Sequence, residues 1–414
     1  MSGQREARRI LYCESNTDGT IGGSHYCLLN LVEHLDRSRY EPITLFYQDH
    51  KLMQRFAAVS TAVVRPPHAP WRIADAPDSF GRRYPLMALP ITLARRAVNF
   101  GKLVSLVREE ARWLREQRIA LVHLNNSVTR HHDWMLAAMV SGVPCITHER
   151  GLNARYSWLD RMFARRLKLI IPMSRWIQDH MVERGVAPDN IRVLYDGLEP
   201  GRLTVTRDPA QLRREWNVGP DQPVIGIVGN VRVWKGQEVV VKALVEVARR
   251  RPDVVCFFVG AATAEDKPYE ERLNAIIRNA GIEANVRFTG YQSQVPDFVN
   301  MMSIVVHASI DPEPFGMVVL EGMAMRKPVV GSGAGGVVEM VVEGVTGYTF
   351  PPGDSQVLAT RLLDLLDNPT KAQAMGEAGY ERVVKDFPLD RYASDVQACY
   401  DQILGASAAD APAR

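Results

Sequence analysis

Glu313-Pro-Phe-Gly-Met-Val-Val-Leu-Glu321 sets two carboxylates eight residues apart across a short apolar run, directly after the strand-like Ile304-Val-Val-His-Ala-Ser309. Pro312 and Pro314 bracket Glu313, and proline fixes φ and disfavours helix at the residue before it. The pattern predicts a loop carrying Glu313, then a helix from Phe315-Gly316 to about Arg326, stopped by Lys327-Pro328. Glu321 falls about two turns into that helix. The amides of Gly316, Met317 and Val318 precede the first helical hydrogen bond, at the positive end of the helix dipole. The expectation is an anion site with a carboxylate on either side of it. A sugar nucleotide offers both a diphosphate for the amides and hydroxyls for the carboxylates.

Two glutamates at this spacing, by themselves, favour an ordinary strand-helix unit bearing surface acids. The flanking sequence favours a site. Downstream come a second strand, Val329-Val330, the glycine turn Gly331-Ser-Gly-Ala-Gly-Gly336, and Glu339. Upstream, the buried-strand pattern Val224-Ile-Gly-Ile-Val-Gly229 runs into Gly229-Asn-Val-Arg-Val-Trp-Lys-Gly236. Cations in a glycine turn after a strand can take up the charge of a departing diphosphate. Arg232 and Lys235 are the candidates.

With these elements in hand, the chain resembles the retaining family-4 glycosyltransferases of the GT-B fold, from about Ile10 to Phe387 and most densely between Val224 and Gly353. The resemblance implies two Rossmann-like domains with parallel sheets facing across a cleft. It implies that Glu313 touches the donor sugar, that Glu321 takes the nucleoside ribose, and that the amides of Phe315, Gly316, Met317 and Val318 meet sugar and phosphate. Lys235 and Arg232 would hold the diphosphate. The family's usual arginine five residues before the lysine is replaced here by Asn230. Tyr291 stands where the family grips the nucleobase, and Gly335 where an open turn approaches sugar or phosphate. No carboxylate is placed as a nucleophile, so a same-face displacement is implied, with the leaving phosphate oxygen accepting the proton of the acceptor.

The first half alternates strand and helix patterns, with strands expected at 10–13, 43–46, 63–64, 121–124, 145–147 and 169–172 and a last strand and turn at 192–197. The polar, proline-punctuated stretch after Leu198 separates an N-terminal domain, 1–198, from a C-terminal one, 199–388. A final helix at 389–404 is expected to return to the first domain, and 406–414 to fray. Gly22 and Gly23 follow the first strand and open a helix, where backbone amides can approach a donor phosphate. The third glycine of a dinucleotide fingerprint is missing, and Asp18 precedes the turn instead of following it, which argues against a nicotinamide cofactor. His123, Asn125 and His148 end strands of this domain and form a candidate acceptor-side polar cluster; a structural role for each histidine is the competing reading.

Composition narrows the rest. Apolar content of 46% and charged content of 23% are those of a soluble globular chain. A net charge of +3 is too small to call for nucleic acid. Five scattered cysteines in apolar runs read as reduced thiols of a cytoplasmic protein. No signal peptide and no span of bilayer length is visible. The basic, partly apolar segment 80–118 is a candidate peripheral contact with the inner face of the membrane, or else a core-facing helix with a solvated basic side. No acidic or cysteine-histidine motif suggests a metal, and Asp75-Ala-Pro-Asp78 lacks strand context, so no cofactor beyond the donor is expected. The resemblance implies a hexosyltransferase that moves sugar from a nucleotide diphosphate donor to a carbohydrate or lipid-linked hydroxyl, in polysaccharide or glycolipid synthesis. A hydrolysing sugar-nucleotide 2-epimerase shares fold and donor but needs added acid and base carboxylates. A non-catalytic nucleotide-sugar-binding protein would not need Lys235 and Glu313 together.

Overall fold

The computed structural model describes residues 6–17, 21–65 and 85–405, and for 85–97 the backbone alone. Asp18, Thr20, Asp75, Asp78, residues 80–84 and the tail 406–414 lie outside the described residues. The strands are β1 (Arg8–Cys13), β2 (Tyr40–Phe46), β3 (Thr61–Val64), β4 (Ile119–Leu124), β5 (Cys145–Glu149) and β6 (Leu169–Pro172), then β7 (Val224–Val228), β8 (Val255–Val259), β9 (Val286–Gly290), β10 (Ile304–His307), β11 (Val329–Ser332) and β12 (Gly347–Phe350). They form two parallel six-stranded sheets, β3-β2-β1-β4-β5-β6 and β12-β11-β10-β7-β8-β9. Numbered within its own sheet, the second order is the first read from the opposite edge. Both are doubly wound, and each reverses direction once, between β1 and β4 or between β7 and β10.

The strands are apolar runs because helices cover both faces of a parallel sheet. Val255-Cys-Phe-Phe-Val259 is buried at every position. The helix Gln237–Arg250 answers with Val239, Val240, Val241, Ala243, Leu244 and Val247 on its buried side. The chain folds as two compact units. The first comprises Met1–Pro172, Gln178–Leu194 and Ala393–Arg414; the second Met173–Ile177 and Tyr195–Tyr392. The helix Leu389–Leu404 thus begins in the second unit and ends in the first. Within the first, Tyr400 Oη lies 3.0 Å from Tyr12 Oη, and Gln397 Oε1 accepts the Asp36 amide at 2.8 Å.

One expectation is corrected, one strand is added and one alternative is narrowed. Residues 192–197 form no strand: after the isolated bridge Ile170–Ile191, the Arg192 and Leu194 amides bond to Ile170 and Pro172 carbonyls. The chain then leaves the first unit at Leu194, so no ladder can extend. β12 closes the second sheet, although the short run Gly347-Tyr-Thr-Phe350 gave no period to read. The helix Pro85–Glu116 buries Leu103, Leu106 and Val107, with Ala111 and Leu114, and leaves Lys102, Arg108 and Arg112 in solvent. For its described side chains the core-facing reading holds, because the apolar residues meant for a bilayer are already packed. Val98 and Phe100 stay exposed. Among the described residues, no helix is long and apolar enough to cross a membrane, and the cysteines are free and buried.

Candidate active site at the switch point of the second sheet

Ligands of doubly wound sheets bind beyond the carboxyl ends of the strands, where the winding reverses. In the second unit that point lies between β7 and β10. The loop after β7 carries Lys235 and the loop after β10 carries Glu313. Two contacts fix these loops to each other. The Ile310 amide donates to the Trp234 carbonyl at 2.8 Å. Gly236, at φ +72°, passes so close to Ala308 that a Cβ would overlap its carbonyl oxygen, so glycine is required twice over.

Lys235 Nζ lies 2.7 Å from Glu313 Oε1 and 2.8 Å from Oε2, and 4.2 Å from the Trp234 ring centroid. His307 Nε2 and Ser309 Oγ each stand 2.7 Å from Glu313 Oε2. Burial pushes the Glu313 carboxyl up, but the His307 hydrogen bond and the Lys235 ammonium outweigh it and hold the group well below the usual carboxylate range. It is ionised throughout the neutral range.

The helix that follows is Met317–Ala324, shorter at both ends than expected: Gly316 caps its start in the left-handed region at φ +96°, and Met325 caps its end before Arg326 turns to φ +58°. Its first backbone bond runs from the Val319 amide to the Gly316 carbonyl at 2.9 Å, leaving the amides of Gly316, Met317 and Val318 ahead of the ladder. The Phe315 side chain is buried in the core. Glu321, on this helix, is half-buried, and among the described residues its carboxylate has no hydrogen-bond or ion-pair partner. Burial raises its pKa. One carboxylate is held by three donor groups; among the described residues the other has none.

Gly335 is placed differently from the expectation. It bridges to Glu313, and at φ +70° its missing Cβ would overlap the Glu313 carbonyl oxygen. The Gly336 amide donates to that same oxygen at 2.9 Å. The end of the turn, Gly335 and Gly336, is therefore the bed of the Glu313 loop, held close to its backbone. Arg232 Nε lies 3.4 Å from Asp266 Oδ2. Tyr291 is 64% exposed after β9, the edge strand, two strand spacings or roughly 10 Å from β7. Glu339 lies within the helix Val337–Met340 and caps Arg175 and Trp176 amides at 3.0 and 2.8 Å.

The first unit has its own reversal between β1 and β4. Gly22 and Gly23 open the helix Gly23–Glu33, and a Cβ on either would meet nothing within 4 Å. Asn125 is fully buried: it donates to Glu14 Oε2 at 2.6 Å and the Ser24 carbonyl at 3.1 Å, and accepts from Arg150 Nε at 3.1 Å. His123 and His148 are also sealed, with His123 Nε2 2.6 Å from His148 Nδ1 and His123 Nδ1 2.6 Å from Tyr400 Oη. Burial, then the Arg150 charge, lowers the pKa of His123 to about 3 and that of His148 well below its ordinary value. The acceptor-side reading of His123 and His148 is corrected, because strand side chains face the covered sides of the sheet; Asn125, one residue past β4, is instead enclosed by Glu14, Ser24 and Arg150. Glu14, Ser309 and the pairing role of His307 were not anticipated. His307 at a strand end, six residues before a glutamate, was the available signal. Among the described residues no group of three or more His, Cys, Asp and Glu stands together as a metal site.

Comparison with known proteins agrees with this architecture. Residues 208–382 match the family model of glycosyl transferases group 1, and residues 21–202 that of glycosyltransferase family 4. The chain belongs to the group 1, family 4 glycosyltransferases. It is 31% identical over 186 residues to the lipopolysaccharide core biosynthesis mannosyltransferase LpcC of Rhizobium leguminosarum bv. viciae, covering 45% of this chain and 53% of that one. The chain thus spans about half the length of that relative. It is 26% identical over 370 residues to the alpha-D-kanosaminyltransferase of Streptomyces kanamyceticus, covering 82% and 92%. Among solved structures, Anabaena HepE in complex with UDP and glucose superposes with a TM-score of 0.77 at 23% identity, covering 95% and 100%. Its fold is GT-B.

Proposed function

We propose that the protein binds a nucleoside diphosphate sugar at the β7–β10 switch point and transfers the sugar, a hexose, to a hydroxyl acceptor with its anomeric configuration kept. The observation that carries this is the Lys235 ammonium, 2.7 Å from an ionised Glu313, beside amides left ahead of a helix. Those amides and Lys235 suit a diphosphate, Glu313 the sugar hydroxyls, and Glu321 the ribose. Arg232 is a secondary partner for the phosphates, since Asp266 already holds it. In the transfer, the bond from the anomeric carbon to phosphate breaks as the bond to the acceptor oxygen forms on the same face. The acceptor proton passes to the departing phosphate oxygen, and fixed cations stabilise the charge left there. HepE, solved with UDP and glucose, supports the donor class; LpcC supports an acceptor in glycan or glycolipid assembly. A peripheral membrane contact through 80–118 would rest on the exposed basic side of the helix with Val98 and Phe100.

Calorimetry with UDP and GDP tests the assignment. A carboxylate that accepts ribose hydroxyls contributes roughly 1.5–3 kcal/mol, so Glu321→Ala is expected to weaken the nucleotide that binds by about 10- to 150-fold. Unchanged affinity in a folded variant would remove Glu321 from the ribose site. Turnover is also expected to survive excess EDTA, because Lys235 and the helix amides provide the positive charge. Activity lost on chelation and restored by Mg²⁺ or Mn²⁺ would contradict that.

A further inference from the structure

We infer that His307 and Ser309 are positioning residues that occupy one oxygen of Glu313 and so assign the other to a single hydroxyl of the donor sugar. The inference rests on the glycosyl-transfer reading above and adds to it which atom reads the sugar. Oε2 of Glu313 meets three donors: His307 Nε2 at 2.7 Å, Ser309 Oγ at 2.7 Å and Lys235 Nζ at 2.8 Å. A carboxylate has about four lone-pair sites over its two oxygens, so three donors fill Oε2. Oε1 meets Lys235 alone, at 2.7 Å, and keeps room for one further donor. One hydroxyl fits there, not a pair.

His307 is 3% exposed, and its Nδ1 is buried without a hydrogen-bond partner. A proton on Nδ1 would be a buried, unpaired donor, which costs about 1–3 kcal/mol. Nε2 is the nitrogen that faces Glu313, so its proton is directed at the carboxylate. Neither nitrogen is left for a substrate, so the histidine acts through Glu313. Both supports come from the end of β10 and the two residues after it. The Lys235 ammonium has three donors, so one can meet a phosphate while the two to Glu313 remain.

A panel of sugar nucleotides, screened for slow hydrolysis, supplies the donor for the test. With that donor, His307→Leu is expected to lower kcat by roughly 10–100-fold, the usual loss when an orienting partner is removed. Affinity for the corresponding nucleoside diphosphate stays within twofold. His307→Gln, whose amide nitrogen reaches the Nε2 position, restores most of the rate. Ser309→Ala, a smaller perturbation of the fold, shifts kcat in the same direction with the same nucleotide affinity. Among monodeoxy donors, a single position loses its sensitivity in Glu313→Gln. Equal losses in His307→Leu and His307→Gln, a parallel loss of nucleotide affinity, or two sugar positions coupled to Glu313 would overturn the inference while leaving the glycosyl-transfer reading standing. Hydrolysis of no donor in the panel would remove that reading and this inference with it.

Discussion

Lys235→Ala is expected to lower kcat by roughly 10²–10³, the range for losing one preorganised group that stabilises developing charge, and to raise the donor KM as well. Negative charge on the diphosphate grows as the glycosidic bond breaks, so a fixed ammonium is worth more in the transition state than in the bound ground state. The site gives the side chain little freedom: it is tied to Glu313 at 2.7 and 2.8 Å and packed on the Trp234 ring. Steady-state kinetics on the folded variant check it. A change in KM alone would make the contribution uniform binding and refute the leaving-group role.

Glu313→Gln is expected to lower kcat by about 10- to 150-fold, the equivalent of roughly 1.5–3 kcal/mol for hydrogen bonds to a charged group. The amide is close to the carboxylate in shape but lacks its charge, and one of its ends donates where Glu313 only accepts. Of the two ends, one faces Lys235 alone and the other faces Lys235, His307 and Ser309 together, so neither orientation satisfies every donor. Affinity for the nucleoside diphosphate is expected to change far less, because Glu313 is assigned to sugar. A nucleotide affinity that fell as steeply as kcat would place Glu313 on the nucleotide instead.

Much of this was legible in the residues. Pro312 and Pro314 announced the loop, Gly316 the helix start, and the apolar runs at 224–228 and 304–307 the buried strands that place Lys235 and Glu313 beyond neighbouring ends. Periodicity and turn chemistry are local, so a single chain displays them. What stayed hidden depends on residues distant in sequence. That Gly335 serves the Glu313 backbone follows from the bridge between two loops, and that His123 faces Tyr400 follows from a helix 277 residues later in the chain. Asn125 was expected at the acceptor side because it ends a strand, but Glu14 and Arg150, from two other strand ends, enclose it. Arg232 was credited to the diphosphate in place of the family arginine absent at Asn230; its ion pair with Asp266, from another loop, was not visible in the sequence.

The most direct measurement is proton NMR of the anomeric signal during slow, acceptor-free hydrolysis of the sugar nucleotides the protein accepts. The expected result is nucleoside diphosphate released together with a free hexose whose first-formed anomer matches the donor, at a rate that collapses in Lys235→Ala. An inverted first anomer, a 2-epimer of the donor sugar, or no release from any sugar nucleotide would contradict transfer with retained configuration at the Lys235–Glu313 site.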